Sequence, residues 1–468
     1  MINKSCHVDL CSDTLECGPN IHFTANRERI LRRRNSARRP IKKASLGPIQ
    51  TYQIDGLTHE AKGVARLNGK VTFIEGALPG ETVTAQVTKP GRRFDEAILN
   101  TLVEISDDRV SPTCQHFGDC GGCSFQHLAV SKQRVAKQHW LAGQLRNVLP
   151  KEQIECLFDV SSGYRRRARL AIDHKKNTLT LGFRGKASNR VVDIEQCHVL
   201  TPSLQALFVS LKACLKQYPI LSSLGHIELL EDSKGLSVLL RLVSDITTIQ
   251  QQAYLDWAQQ QGVNLHWQAP KASRADLTEE QMRYYDMGNL RLKYHPQDFI
   301  QVNEVMNQKM VAQAMAWLAP QKEDAVLDLF CGVGNFSLPL AQLAGSVIGV
   351  ELQESMVQAG RHNASLNGLD NLTFVAADLT QPVAGQFSTP KINKILLDPP
   401  RAGAFEFLDT IIHIAPQQIL YVSCNASTLA RDAEYLVSNG YKVVRAGLMD
   451  MFPQTSHVET MMLLQKQK

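Results

Sequence analysis

One cysteine with polar neighbours on both sides is the strongest candidate for chemistry in this chain. Cys424 lies in Tyr421-Val-Ser-Cys-Asn425, where an apolar run ends. Asp398 and Arg401 occur in a Leu-Asp-Pro-Pro-Arg motif upstream, and Glu459 occurs in a His-Val-Glu motif downstream. A thiol beside carboxylates and a guanidinium is suited to nucleophilic catalysis. The alternative is an inert core thiol, which the polar neighbours disfavour.

These residues point to methylation of a pyrimidine ring. Carbon 5 of a pyrimidine is a poor nucleophile until a thiolate adds to carbon 6, so methyl transfer to carbon 5 requires a cysteine. An Asp-Pro-Pro motif is also typical of amino-group methylation, which needs no cysteine, but Cys424 favours the carbon 5 reaction. Cytosine enzymes of this type carry the nucleophile in Pro-Cys or Thr-Cys elements, so Ser-Cys-Asn favours uracil. Glu459 is the candidate base for the carbon 5 proton.

The Cys424 thiol must also ionise before it can act as a nucleophile. An unperturbed cysteine pKa of about 8.5 leaves only a small thiolate fraction near neutral pH, so we expect the site to lower the pKa of Cys424. Arg401 or a helix beginning near Ser427 would supply the positive potential.

A second motif predicts a nucleoside-binding loop. Leu327 to Phe336 follows a predicted strand and leads into a predicted helix, and its Gly332 and Gly334 allow close approach of a ligand. The third glycine of the dinucleotide fingerprint is missing, so we expect a nucleoside without a pyrophosphate, namely S-adenosylmethionine. Glu351 ends the next predicted strand at a spacing suited to a ribose diol.

Two more carboxylates end predicted strands of the same sheet. Asp378 is a candidate for the adenine amino group, and Asp398 for the methionine ammonium or a substrate edge. The alternative is that such carboxylates only cap helices. Cys331 in the glycine loop is expected to be a small buried residue.

A separate cysteine pattern predicts a metal centre. Four thiols, spaced as in a four-thiolate site, suit either a [4Fe-4S] cluster or structural zinc, and spacing alone does not decide between the two: Cys114, Cys120, Cys123 and Cys197. We expect no radical chemistry, because the C-x3-C-x2-C triad is absent. An iron-sulfur redox enzyme would need a flavin or nicotinamide site, and none is recognisable.

The elements that must position these groups predict an α/β protein of several domains. Short β-rich runs with turns predict a small β-barrel, and strands alternating with helices predict a parallel sheet covered on both faces. A helix is expected from Ser131 to Val148, and the last two strands are expected to form an antiparallel hairpin at the sheet edge. The predicted boundaries are 1–45 for a disordered basic leader, 46–106 for the barrel, 107–290 for a central α+β domain, and 291–468 for the parallel sheet.

Charge is unevenly distributed, although the net charge of the 468 residues is only +6. The basic leader, cations near the barrel turns and the segments Tyr164–Arg169 and Gly182–Lys186 predict contacts with RNA phosphates and bases. No long apolar run is present, so we expect a cytoplasmic monomer without membrane contact.

Five motifs together resemble those of the RNA uracil-5-methyltransferase family: Phe299–Asn303, Leu327–Phe336, Leu397–Arg401, Val422–Asn425 and His457–Glu459. The resemblance covers about residues 46–468. It implies a Rossmann-like class I methyltransferase domain with Cys424 as nucleophile and Glu459 as proton acceptor. It also implies a set of side chains around S-adenosylmethionine: Gln301, Phe330, Asn335, Glu351, Asp378 and Asp398.

Two further features resemble the ribosomal branch of this family. Gly63–Arg66 and Gly76–Gly80 resemble a TRAM domain, an RNA-binding barrel of the OB type. In the ribosomal branch the four cysteine positions hold a [4Fe-4S] cluster, expected here in a structural or RNA-positioning role. The resemblance therefore implies 23S ribosomal RNA as partner and its uridine 1939 as target. A uridine elsewhere in 23S RNA or in tRNA, or a non-catalytic assembly factor, are the alternatives.

Overall fold

The computed structural model describes residues 47–149, 153–173, 179–381 and 391–467. The predicted leader, residues 1–45, lies outside the described residues. Among the described helices, none combines the length and apolar character needed to cross a membrane.

The first five strands form a closed barrel with the order β1-β2-β3-β5-β4. Buried and less buried residues alternate along its strands, which is the pattern of a sheet with one face in the core. A turn at Asn68-Gly69 joins β2 to β3, and both of its residues have positive φ. The barrel strands are β1 (Ile49–Leu57), β2 (Lys62–Leu67), β3 (Lys70–Glu75), β4 (Thr82–Lys89) and β5 (Phe94–Glu104).

A long helix and a six-stranded sheet follow the barrel. The helix, α1 (Val130–Leu145), agrees with the predicted helix except at its ends. The sheet has the order β12-β11-β10-β7-β8-β9 and packs two helices over one core. Its elements are β7 (Arg167–Asp173), β8 (Thr180–Arg184), β9 (Val191–Asp193), α2 (Pro202–Gln217), β10 (Leu224–Asp232), β11 (Gly235–Leu242), α3 (Thr248–Gln261) and β12 (Asn264–Gln268).

A two-stranded hairpin leads into the largest sheet. The hairpin is β13 (Arg283–Met287) with β14 (Leu290–Tyr294). The eight-stranded sheet and its helices comprise β6 (Ile154–Leu157), α4 (Glu304–Leu318), β15 (Ala325–Leu329), α5 (Ser337–Leu343), β16 (Ser346–Glu351), α6 (Glu354–Leu366), β17 (Leu372–Ala376), β18 (Lys394–Leu397), α7 (Leu408–Ile414), β19 (Gln418–Ser423), α8 (Ala426–Ser438), β20 (Tyr441–Met449) and β21 (Glu459–Lys466).

This sheet has the order β17-β16-β15-β18-β19-β21-β20-β6, and its first five strands are parallel. Strands β15, β18 and β19 are almost wholly buried because helices cover both faces. The expected antiparallel hairpin is formed by β20 and β21, but its predicted place at the sheet edge was wrong. β6 pairs with β20 and takes the edge, because this short strand between α1 and the six-stranded sheet returns to the large sheet.

The sheet register gathers the predicted chemical groups. Leu329 at the end of β15 pairs with Val350 and Leu397, so three parallel strands end at one level. Ser423 at the end of β19 pairs with Thr460 near the start of the antiparallel β21. The end of one strand and the beginning of the other therefore bring Cys424 and Glu459 to the same edge.

Candidate active site

Cys424 lies in a short turn between β19 and α8, and Asn425 fixes this turn. The Asn425 side chain caps α8 by accepting a hydrogen bond from the Ser427 amide at 3.2 Å. The Asn425 side-chain Nδ2 donates to the Arg401 carbonyl at 2.9 Å, and the Thr428 hydroxyl donates to that carbonyl at 3.3 Å. The cysteine turn and the loop after Asp398 are thus joined directly.

Cys424, Asp398, Arg401 and Glu459 form one electrostatic group, here named the Cys424 site. Burial raises the pKa of the Cys424 thiol, and the Glu459 and Asp398 carboxyls raise it further. Arg401 interacts with the thiol through charge and a hydrogen bond, and both effects lower the pKa. The expectation of a lowered cysteine pKa was therefore wrong. Arg401 acts in the predicted direction, but burial and two carboxyls outweigh one guanidinium.

The two carboxyls of the Cys424 site are also shifted toward the neutral form. Burial raises the pKa of Asp398 to about 7. Burial, followed by the charge of Asp398, raises the pKa of Glu459 well above its usual value, while Arg401 opposes the shift. Glu459 is 6% exposed, so its carboxyl is largely shielded from bulk water. A buried carboxyl with a raised pKa is suited to taking up a proton within the site.

The glycine loop after β15 has an unusual backbone. Phe330 has a φ of 63°, which is rare for a large side chain and marks local strain. Gly332 and Gly334 have φ values of 57° and 102°. A Cβ on Gly334 would lie 2.3 Å from Leu338, so packing requires this glycine, whereas a Cβ on Gly332 would meet open space. Gly332 is the position at which a ligand has room to approach.

Glu351 is held against the glycine loop. Its carboxylate accepts the Gly332 amide at 3.2 Å and the Gln353 amide at 3.0 Å. Each oxygen keeps a further lone pair for a ribose hydroxyl. The predicted role as a diol acceptor is compatible with this position.

Asp378 is in a more open environment. It is exposed, two residues beyond β17, and its carboxylate accepts the amide and hydroxyl of Thr380 at 2.9 and 2.7 Å. These hydrogen bonds lower its pKa, so it is a stable anion at neutral pH. Its predicted contact with the adenine amino group stays a prediction.

Two residues that no sequence motif singled out hold the Asn335 side chain. Its side-chain oxygen accepts hydrogen bonds from Tyr285 at 3.2 Å and Asn307 at 3.0 Å, and its amide donates to Asn307 at 3.0 Å. Beside this group, buried Asp328 binds the Ser337 hydroxyl at 2.5 Å, and burial raises its pKa to about 7. No motif marked Tyr285 or Asn307, because they come from elements distant in sequence.

Arg166 is another supporting residue, and its position corrects a prediction. Its Nε donates to the Gln301 carbonyl at 3.0 Å, its amide donates to the Val302 carbonyl at 2.9 Å, and its guanidinium lies over the Tyr285 ring. Only 2% of Arg166 is exposed. Arg166 therefore holds the backbone of the Gln301 segment from the protein interior.

The segment Tyr164–Arg169 was predicted to grip RNA, and this was wrong for most of its side chains. Tyr164 is buried and donates to the Pro453 carbonyl at 3.0 Å. Arg167 pairs with Glu228 at 2.7 Å, while Arg169 remains exposed. The pattern of cations beside an aromatic ring arose from internal pairing, which sequence does not distinguish from a phosphate surface.

The barrel cations divide into two groups. Lys70 pairs with Asp95 at 2.7 Å and Lys89 with Glu96 at 3.0 Å, both within the barrel. Lys62 is also close to acidic side chains of the barrel. Three further cations near the barrel turns, where RNA contacts were predicted, are exposed: Arg66, Arg92 and Arg93.

Cys114, Cys120, Cys123 and Cys197 line one cavity of about 390 Å³, here named the cysteine cavity. All four are free thiols. Burial raises the pKa of Cys123 to about 12, and the three other thiols contribute to the shift. In the described part of the chain, no three His, Cys, Asp or Glu side chains are arranged to hold a single metal ion.

Amide side chains hold the loops of the cysteine cavity. Gln126 accepts the Cys114 amide at 3.1 Å, and Gln205 accepts the Cys197 amide at 2.6 Å. The Cys197 loop also reaches the Gln301 segment, because Arg165 forms bridges to both Leu200 and Asn303. The Cys197 loop and the Gln301 segment are thus linked through the backbone of Arg165.

Comparison with known families and proteins gives a consistent result. A family model described as tRNA (Uracil-5-)-methyltransferase matches residues 130–467, and a TRAM domain model matches residues 44–99. A Marinomonas posidonica protein named 23S rRNA (uracil(1939)-C(5))-methyltransferase RlmD is 87% identical over 438 residues, covering 94% of this chain and all of the relative. An Aeromonas hydrophila protein of the same name is 41% identical, covering 92% of this chain and 99% of the relative.

A solved structure shares the fold. The Pyrococcus abyssi tRNA (uracil-54, C5)-methyltransferase in complex with S-adenosyl-L-homocysteine superposes with a TM-score of 0.71 and 23% identity, covering 88% of this chain and 99% of that one. The predicted α/β class with a barrel before a Rossmann-like domain is confirmed.

Proposed function

The chain belongs to the tRNA (uracil-5-)-methyltransferase family, and from this premise we propose that it methylates carbon 5 of uridine 1939 in 23S ribosomal RNA. The proposal rests on one observation above all. Cys424, Glu459 and Asp398 come from different strands and meet beside Arg401 at one edge of the sheet. The names of the close relatives supply the RNA and the position.

The first step belongs to Cys424. Its sulfur forms a bond to carbon 6 of the uracil, and the ring electrons move to make carbon 5 a nucleophile. S-adenosylmethionine supplies the methyl group from a positively charged sulfur and leaves as S-adenosylhomocysteine. Arg401 favours the thiolate that starts the reaction, because its charge and its hydrogen bond both lower the pKa of Cys424.

The last step belongs to Glu459. Its carboxylate removes the proton from carbon 5, the carbon–sulfur bond breaks, and the double bond between carbons 5 and 6 is restored. Burial favours the protonated form of Glu459, so the base must be ionised before this step. Asp398 raises the affinity of Glu459 for that proton, because two buried carboxylates so close together repel.

The methyl donor would lie along the glycine loop. Glu351 would bind the ribose hydroxyls and Asp378 the adenine amino group, with Phe330 and Asn335 beside the nucleoside. Gln301 and Asp398 would contact the methionine end. Gln301 would be kept in position by Arg166, which binds its carbonyl directly. Asn335 would be kept in position by Tyr285 and Asn307, which bind its side chain directly.

We further propose that the cysteine cavity holds a [4Fe-4S] cluster through Cys114, Cys120, Cys123 and Cys197. A cluster of this type binds each thiolate through a different iron, so its ligands line a cavity instead of converging on one atom. The four thiols around about 390 Å³ fit this requirement. The cluster would cross-link Cys197 to the three-cysteine loop, which fixes the backbone that leads to Gln301.

One set of RNA substrates tests the proposed function. The chain is incubated with isotope-labelled methyl donor and a 23S RNA fragment containing uridine 1939, the same fragment with cytidine at that position, or tRNA. We expect label on carbon 5 of uridine 1939 and none on the cytidine fragment. Label on tRNA or at another uridine would show that the target is that nucleotide and not uridine 1939. RNA binding without label transfer would favour a non-catalytic assembly factor.

A further inference from the structure

A cavity of about 490 Å³ lies between the barrel and α1. The barrel contributes the end of β1 and the loop that follows, with Leu57, Thr58 and His59, and α1 contributes Val135 and Trp140. This volume is within the range of ordinary ligand sites, which begins at about 300 Å³. Neither the methyl donor residues nor the four cysteines line it.

An aromatic platform forms part of its wall. The His59 and Trp140 rings are stacked, with centroids 5.2 Å apart and planes 21° from parallel. His59 is exposed, whereas Trp140 packs partly against the core of the large sheet. A planar base can extend such a stack, because base–aromatic stacking tolerates every base. Val135, 43% exposed, adds apolar surface beside the platform.

The cavity and the Cys424 site are connected through neighbouring residues of the chain. Val458 lines the cavity and directly precedes Glu459 of the Cys424 site. The helix that carries Trp140 also reaches the cysteine turn, because Ser427 donates to Gln144 at 3.0 Å. A polynucleotide with its target base at Cys424 therefore has this platform within reach of a neighbouring nucleotide.

We propose that this cavity binds the base of an unpaired nucleotide adjacent to the target uridine, stacked on the His59–Trp140 pair. This inference rests on the proposed function. A base must leave its helical stack to reach Cys424, and its neighbours lose their stacking partner in the process. The platform would replace that partner, so the barrel would act in substrate selection through a base contact as well as through phosphates.

Substitution of His59 tests the inference with little risk to the fold, because this side chain is exposed. Steady-state methylation by the full chain is measured on the 23S fragment and on two versions with an abasic site on either side of the target. For His59→Ala we expect the KM for intact RNA to rise about tenfold with kcat unchanged. On one of the abasic fragments the variant and the wild-type chain should have the same KM.

Two controls test whether the effect on KM is specific to the aromatic platform. His413→Ala removes an exposed histidine from α7, outside the cavity, and should leave the KM for RNA unchanged. Trp140→Phe keeps a ring in the stack and should retain most of the affinity. Consider a wild-type chain that methylates normally while the KM of His59→Ala equals the wild-type KM, or rises by the same factor on all three RNAs. Either result overturns this inference and leaves the proposed function intact. If the wild-type chain methylates no RNA, the proposed function is overturned together with it.

Discussion

The Cys424 site and the cysteine cavity both place thiols in partly buried surroundings, and they differ in what surrounds the sulfur. At Cys424, Arg401 opposes the effect of burial on the pKa. In the cysteine cavity, burial raises the pKa of Cys123 to about 12 with only a Gln126 hydrogen bond opposing it. The Cys424 thiol has a guanidinium beside it, whereas the Cys123 thiol has three other thiols near it.

This difference matches the two proposed roles, a nucleophile at Cys424 and metal ligands in the cysteine cavity. A thiol with a neighbouring guanidinium gains thiolate character without any metal. Four clustered thiols lack such a cation among the groups that shift Cys123, and a metal bound to them would deprotonate them directly. Burial alone is therefore a poor guide to cysteine function, and the charge beside the sulfur is a better one.

Removing the Cys424 sulfur should have the largest effect of the substitutions considered. Cys424→Ala should lower methylation by at least about 10³-fold, because nothing else in the site can bond to carbon 6. Label transfer to the RNA fragment measures the effect. Cys214→Ala removes a buried thiol of α2 far from these roles and is the control. Methylation by Cys424→Ala at the wild-type rate would contradict the proposed roles.

Neutralising Glu459 should separate the two halves of the reaction. Glu459→Gln keeps the shape but cannot accept a proton, so turnover should fall about 10²- to 10⁴-fold. A covalent protein–RNA species should accumulate on ordinary RNA, visible as a shifted band in denaturing gels. Glu434→Gln, on the surface of α8, should show neither change. Fast turnover of Glu459→Gln would assign the proton to another base.

Changing a thiol of the cysteine cavity should affect a different property. Cys197→Ser should lose most of the iron and sulfide bound after anaerobic purification, together with the broad visible absorbance of an iron-sulfur cluster. Cys156→Ser, in β6, is the control and should retain them. Equal metal content in both variants, or zinc in place of iron, would contradict the cluster assignment.

Removing the cation should make the Cys424 thiol resemble those of the cavity. Because Arg401 lowers the pKa of Cys424, Arg401→Ala should raise it and shift the pH profile of adduct formation upward. Below that pKa the variant should form the adduct more slowly than the wild-type chain, and higher pH should restore the rate. Arg445→Ala, which removes an exposed arginine of β20, is the control. A slower rate at every pH would indicate a positioning role instead.

The smallest effect concerns the methyl donor. Tyr285→Phe deletes the hydroxyl that binds Asn335 and should raise the KM for S-adenosylmethionine about fivefold, with kcat nearly unchanged. Tyr284→Phe, the neighbouring residue on the other face of β13, is the matched control. An unchanged donor KM in Tyr285→Phe would remove this tyrosine from the donor site.

The sequence predicted the parts of the fold and site that depend on local pattern. Apolar strands ending in Glu351, Asp398 and Cys424 were recognisable because parallel strands end at one edge. The barrel was recognisable from its turns. Motifs also singled out Glu459, which the antiparallel β21 brings to Cys424.

The remainder depended on packing that no local pattern encodes. The edge position of β6 comes from a long-range pairing with β20. Arg166 resembled a surface cation until its contacts with Gln301 and Tyr285 were visible. The raised pKa of Cys424 reflects how deeply the site is buried and how close two carboxyls lie to the thiol, which sequence spacing cannot show.

The most direct test is to capture the bond between sulfur and uracil. The chain is incubated with S-adenosylmethionine and the 23S fragment carrying 5-fluorouridine at position 1939, whose fluorine cannot leave as a proton does. Protease digestion and mass spectrometry should then find a methylated fluorouridine attached to the peptide containing Cys424. An adduct on another cysteine, or full methylation of normal RNA with no adduct on the fluorinated fragment, would contradict the account.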